Sequence, residues 1–219
     1  MIVHFMATYY SQWAHQNLAP RSQEQWYSFK FCRAVKNGRI NGSLTFPWAG
    51  NPEIINEGSV QRARAIFGEF IAYVIAQLAI PNPVLVPVPS KDGLVGVNDF
   101  RSVAMVREAA ANRWPVSPSL RFTQALQPAA TGGPRGREVL RPFLTVVQPL
   151  PLGSIILVDD IVTTGGSILA SYDVLAASGR GPFAAIVCGH TVSDTLLSAF
   201  GHPSKEYRYR AAADFLLDE

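Results

Sequence analysis

Charge is scarce in this chain of 219 residues: Asp, Glu, Lys and Arg together make up 16%, and 19 basic against 16 acidic residues leave a formal net charge of +3. So small an excess, with no basic run, gives no electrostatic footprint for nucleic acid or a membrane surface, although a pI near 9.0 is compatible with an anionic substrate. Cysteine is nearly absent. Cys32 and Cys188 stand far apart in the sequence, each in a strand-like apolar context, which excludes a clustered zinc site and leaves core packing as the expected role of both. His4, His15, His190 and His202 form no ligand pair at helical spacing; His190 follows an expected strand, where a structural role is the plainer reading. No apolar run is long enough to cross a bilayer. Residues 63–80 come nearest, but Arg64, Glu69 and Gln77 interrupt them, and Ile66, Phe67, Phe70, Ile71, Val74, Ile75 and Leu78 recur at helical spacing, which predicts a buried amphipathic helix. Residues 1–10 lack the basic region and cleavage pattern of a secretory signal, so cytoplasmic residence is expected. Internal repeats and low-complexity tracts are missing too.

What is present is a hydrophobic content of 48%, enough for one α/β domain with a sizeable core. Residues 1–57 are rich in aromatics (Trp13, Trp26, Tyr27, Phe29, Phe31, Phe46, Trp48). Residues 25–35 have strand character, residues 36–39 suit a hairpin turn, and residues 40–46 suit a second strand. This predicts a small β-rich N-terminal hood, whose aromatics either cover a substrate or simply form a core. From residue 58 to 219 helices and strands alternate: helix 59–78, strand 84–88, helix 99–113 with Asn98 or Asp99 as N-cap, a long loop 121–141, strands 143–147 and 155–158, helix 167–178 and strand 183–188. That order predicts a mostly parallel, doubly wound sheet. The tail, residues 193–219, carries no clear pattern.

Residues 155–167 read I-I-L-V-D-D-I-V-T-T-G-G-S. Four apolar residues suit a strand buried on both faces, with Asp159 and Asp160 at its carboxyl end, where open α/β sheets bind ligands. Thr163, Thr164, Gly165, Gly166 and Ser167 then form a small, hydroxyl-rich turn ahead of a helix. Glycines let backbone N–H groups approach an anion, and a helix N-terminus adds partial positive charge. The stretch thus suits a molecule with a phosphate at one end and hydroxyls within reach of two carboxylates.

This order of residues resembles the signature of the type I phosphoribosyltransferases, which bind 5-phosphoribosyl 1-pyrophosphate (PRPP). The resemblance implies that Asp159 and Asp160 contact the ribose hydroxyls and favour the cationic sugar, while residues 163–167 cradle the 5-phosphate. It also implies a pyrophosphate loop after an earlier strand, which Ser90 and Lys91 supply in V-P-V-P-S-K-D-G. A mobile basic loop closing over PRPP would be the stretch holding Arg135 and Arg137, as catalytic residues, between Gly132, Gly133 and Gly136, with Arg141, Arg121 and Arg101 further off. Mg²⁺ is the implied cofactor, held through PRPP and water with no direct protein ligand. The spacing from Val84 to Val192 is most similar to the competence-associated, ComF-like branch, although two isolated cysteines cannot form the N-terminal zinc module common there.

The resemblance implies a Mg²⁺-dependent transfer of phosphoribosyl from PRPP to an unidentified nitrogen acceptor, with pyrophosphate released. Two other classes fit the same residues: a PRPP- or nucleotide-binding regulator without catalysis, and a nucleic-acid-associated accessory protein. No membrane partner is expected, nucleic acid is disfavoured by charge, and a homodimer is left open.

Overall fold

The apolar run ahead of the acidic pair lies in the middle of a parallel sheet. The computed structural model describes residues 1–48, 50–127, 133, 136–193, 197–200, 207–208 and 217–218. Strands β1 (Ile2–Tyr10), β4 (Pro83–Pro87), β7 (Ser154–Val162) and β8 (Ala184–Val192) run parallel in the order β1-β8-β7-β4. Two short strands, β9 (Tyr207–Arg208) and β10 (Leu217–Asp218), extend the β1 edge antiparallel. Helices α2 (Gln23–Asn37), α3 (Gln61–Gln77) and α4 (Arg101–Ala110) cover one face. Helix α6 (Gly166–Ala177) covers the other, with the ribbon of β5 (Leu120–Phe122) and β6 (Leu144–Val146). The protein is therefore a mixed α/β fold with helices on both faces of a mostly parallel sheet, as the alternating pattern predicts.

Strand alternation decides which residues meet which helices. Ile156 and Val158 of β7, with Ile186 and Cys188 of β8, enter the core against α2, α3 and α4; Ile155 and Leu157, with Ala185 and Val187, enter the core against α6. Cys32 and Cys188 are free thiols within the core, the packing role expected of them.

The N-terminal segment differs from the expected β-rich hood. Residues 25–35 form no strand, and residues 36–39 form no hairpin turn; residues 25–37 belong to one helix, α2, and Gly38 is its cap. The aromatics at 27, 29 and 31 imitate a period of two, but the buried set Gln25, Ser28, Phe29, Cys32 and Val35 follows the helical period. Ser22 and Gln25 close a capping box at its start, and Gly38, at φ 64°, ends it in the left-handed conformation that glycine adopts without steric cost. The expected second strand begins later, as β2 (Leu44–Trp48), and pairs with β3 (Asn51–Ile55). Residues 2–10 supply a strand of the main sheet, so this segment is built into the core rather than appended to it.

Other boundaries shift modestly. The expected strand 155–158 continues to Val162, which puts the acidic pair inside β7 rather than after it. Phe100, not Asn98 or Asp99, is the N-cap of α4, without a side-chain cap. The long loop 121–141 begins in β5, where Arg121 is buried, and ends in a short helix, α5 (Arg137–Leu140).

Helices α3 and α4 cross at Gly68, where an added Cβ would lie 2.0 Å from the Ala109 carbonyl oxygen. Gly68→Ala is therefore expected to lower unfolding stability by about 2 kcal/mol. Gly181→Ala, whose nearest new neighbour would be 3.8 Å away, should leave stability nearly unchanged. Urea denaturation of both variants checks this.

Candidate functional site

Because successive strand residues face opposite ways, the two adjacent carboxylates of β7 enter different surroundings. Asp160 faces α2 and is 7% exposed. Its two carboxylate oxygens each lie 2.9 Å from Lys36 Nζ, in the last turn of α2. The Ile161 N–H donates to Asp160 Oδ1 at 2.6 Å, and the Asp160 N–H donates to Asp159 Oδ1 at 2.8 Å. Burial and the neighbouring Asp160 charge push the Asp159 carboxyl up to about 8, against the opposing pull of Lys36, the Asp160 N–H and Arg101. The pair is thus asymmetric: Asp160 holds a lysine, while the Asp159 carboxyl is pushed toward its protonated form.

Directly after β7, Thr163 and Thr164 are exposed, Gly165 and Gly166 are buried and Ser167 is half-buried. Gly165 turns the chain at φ 77°, and no side chain caps α6. The N–H groups of its first turn are thus free of side-chain acceptors from the cap position, the condition for anion binding at a helix start. Thr163 Oγ1 lies 3.0 Å from Thr191 Oγ1, which ties this turn to β8. An added Cβ on Gly166 would come within 2.9 Å of the Gly136 backbone, so the segment leading to Arg137 lies against the turn. All of Asp159, Asp160, Thr163, Thr164, Gly165, Gly166 and Ser167 meet at the carboxyl end of one strand.

The turn after β4 sits beside β7. Ser90 and Ser102 exchange hydrogen bonds, each hydroxyl accepting from the other's N–H at 3.1 and 3.2 Å. Lys91 Nζ donates to the Gln127 carbonyl, and burial lowers its pKa. Gly93 leaves room for Phe100, whose ring would stand 2.9 Å from an added Cβ. The turn is therefore braced onto the start of α4, with the Arg101 N–H donating to Asp92 Oδ2 at 2.9 Å.

The expected basic loop is only partly brought to this place. Arg137 forms an ion pair with Asp173 of α6, at 2.5 and 3.1 Å, both side chains being nearly buried. That pair anchors α5 on α6. Arg135 lies outside the described residues. The cations that bear on the acidic pair are Lys36 and Arg101 instead. The strand and turn expected over residues 25–39 conceal Lys36; Ser22 and Gln25, at capping-box spacing, are the local signal that puts it on a helix. Arg101 follows the β4 turn at the start of α4, a place where a helix after a binding loop directs side chains to the same edge. Of the aromatics, Phe31 and Phe46 stack on each other in the core at 4.1 Å, and Trp13 is 62% exposed on α1 (Gln12–Asn17).

No protein-family model matches this chain, and no curated protein does. Among solved structures, a UMP synthase from Leishmania donovani is similar over 73% of this chain at 11% identity, with a TM-score of 0.36. The chain spans 31% of that protein's length. A likeness this slight has no bearing on activity, and the α/β assignment rests on the strand order itself.

The asymmetry of the carboxylates has a pH signature. Asp159 ionises in the unfolded chain above its ordinary 3.8 but keeps its proton in the folded chain up to about 8. Between those values the folded state binds the extra proton, so stability falls as pH rises through this window. Asp159→Asn removes that titration, and its melting temperature is expected to exceed the wild type most near pH 8, with the margin shrinking toward pH 4. Thermal melts across that range check it; a constant margin contradicts a protonated Asp159.

Proposed function

We propose that the chain binds PRPP and transfers its 5-phosphoribosyl group to a nitrogen acceptor, releasing pyrophosphate. One observation carries the reading: an acidic pair, a glycine turn and an uncapped helix start follow one another at the carboxyl end of a central parallel strand. The turn 163–167 supports a 5-phosphate through backbone N–H groups and the hydroxyls of Thr163, Thr164 and Ser167. Asp159 and Asp160 stand within a short reach of that turn, where ribose hydroxyls would lie. A protonated Asp159 can donate a hydrogen bond to one hydroxyl, while Asp160 accepts from another in exchange for part of its Lys36 contact.

In the proposed transfer the bond from C1 to pyrophosphate oxygen breaks with its electron pair, and the acceptor nitrogen forms a bond to C1 and gives up a proton. Nearby carboxylates favour the positive charge that develops on the sugar, and positioning supplies most of the remaining acceleration. Two carboxylates on opposite strand faces, with no third acidic, His or Cys ligand clustered near them among the described residues, fit a hard cation that takes most of its oxygens from substrate and water. Mg²⁺ bound in that way supplies charge neutralisation for the leaving pyrophosphate. Lys36 and Arg101, the two cations that act on the acidic pair, would bind and orient the substrate. Among the described residues no helix is long and apolar enough to cross a membrane.

A second reading, a PRPP-binding regulator, is favoured by one feature. Lys91 and Arg137, the cations expected at pyrophosphate, are engaged by the Gln127 carbonyl and Asp173. One experiment separates the two. Pyrophosphate release is measured with PRPP, Mg²⁺ and a panel of nitrogen heterocycles, alongside calorimetric PRPP binding. Turnover with at least one acceptor is expected, and Asp160→Asn should lower kcat/KM on the order of 10²-fold. Binding without turnover for any acceptor supports the regulator; no PRPP binding refutes both.

A further inference from the structure

Among the described residues Lys36 is the only cation in contact with Asp160. Its ammonium meets both carboxylate oxygens at 2.9 Å, and the Ile161 N–H takes a further position on Oδ1 at 2.6 Å. A carboxylate offers about four acceptor positions, so these contacts leave Asp160 roughly one for an incoming hydroxyl. Asp159 is no substitute partner for the lysine, since burial and the Asp160 charge push its carboxyl toward the protonated form.

The root of Lys36 is braced independently of that contact. Arg64, buried on α3, donates from Nε to the Val35 carbonyl at 2.8 Å and pairs with Glu108 of α4 at 2.7 Å. Its guanidinium also lies on Gly38, where an added Cβ would come within 3.1 Å of Arg64 Nη2. The end of α2 is therefore held from α3 and α4 as well. The Lys36 side chain itself is 30% exposed, against 10% for Asp160. An ammonium on a four-carbon stem can thus change partner while the backbone beneath it stays in place.

Taking Lys36 off Asp160 without replacement leaves a buried carboxylate unpaired, a cost that one neutral hydroxyl does not offset. A ligand that brings hydroxyls alone therefore competes against the lysine. A ligand that also brings pyrophosphate offers the ammonium a new anion, while its hydroxyls take the vacated carboxylate oxygens. Both charged groups then keep hydrogen-bonding partners.

We infer that Lys36 is a specificity-determining residue of this site: it withholds Asp160 from sugars without pyrophosphate and yields it to ligands that carry pyrophosphate together with vicinal hydroxyls. Binding of the polyanion and binding of the diol are thereby coupled through one side chain. The inference rests on the reading that Asp160 takes a ribose hydroxyl; it does not rest on transfer to an acceptor.

Calorimetry of the full chain in Mg²⁺-free buffer tests it, since no metal then bridges the ligands. The probes are inorganic pyrophosphate and 1,4-anhydroribitol 5-phosphate, which keeps the 5-phosphate and both ring hydroxyls and leaves C1 unsubstituted. Saturating pyrophosphate is expected to tighten binding of the anhydroribitol phosphate about tenfold or more. The coupling should fall to within about twofold for the analogue lacking both ring hydroxyls, and likewise in Lys36→Met and Asp160→Asn. Lys36→Met should also bind the anhydroribitol phosphate alone about fivefold more tightly than the wild type, a gain that loss of a cation or of packing does not produce. No effect of pyrophosphate in the wild type, coupling that survives Lys36→Met, or weaker binding by that variant overturns the inference. If Lys36→Met does not fold, the wild type decides by its coupling and by the hydroxyl-free analogue. Binding of both probes without coupling overturns this inference and leaves the donor site standing, whereas failure of the anhydroribitol phosphate to bind under either condition removes both. Coupling without turnover for any acceptor keeps this inference and removes the transfer.

Discussion

The contact between Lys36 and Asp160 is the constraint on which the site depends. Asp160 sits deep beside a parallel strand's end, where an ionised carboxylate is tolerated only with a partner. Its partner comes from the last turn of α2, more than a hundred residues earlier in the chain. That ion pair fixes how α2 lies on the sheet. The same helix packs closely on β8, where an added Cβ on Gly189 would come within 2.7 Å of Cys32 Sγ. Aromatic and cationic residues on α2 are thereby held next to the acidic pair.

The second consequence is electrostatic. Written out as sequence, two neighbouring aspartates suggest a doubly negative site. In the fold, burial pushes the Asp159 carboxyl toward its protonated form and a lysine matches Asp160, with Arg101 nearby. A polyanionic ligand of the proposed kind would be repelled by two bare carboxylates, but not by this arrangement. The helix start at Gly165 adds backbone donors on the far side of the same strand end. Acidic groups for hydroxyls and amide groups for phosphate are thus separated by only a few residues of chain.

Much of the chain from residue 83 onward was legible in the sequence because its signals are local. A continuous apolar run, a glycine turn and a helical pattern each reflect the preferences of a few neighbouring residues, and β4, β7, α6 and β8 lie close to where those signals put them. The amino-terminal segment was harder for a physical reason. Tyr27, Phe29 and Phe31 alternate like a strand, yet only Phe29 and Phe31 turn inward, as parts of a helical stripe. Strand β1 carries few turn signals and is apolar on both faces, so periodicity could not distinguish it from a buried helix. The arginine-bearing loop misled differently: Arg137 sits near glycines as a mobile cation would, but Asp173, about two turns into α6, pairs with it.

By itself the sequence determined a parallel α/β sheet and a candidate site that runs from Asp159 to Ser167, because strand burial, turn geometry and helix starts are written in contiguous residues. Tertiary structure alone decided which cations stand beside that stretch and which of its carboxyls is pushed toward the protonated form. Those outcomes depend on burial and on distances between segments far apart in the chain, and such long-range terms leave no local pattern to read.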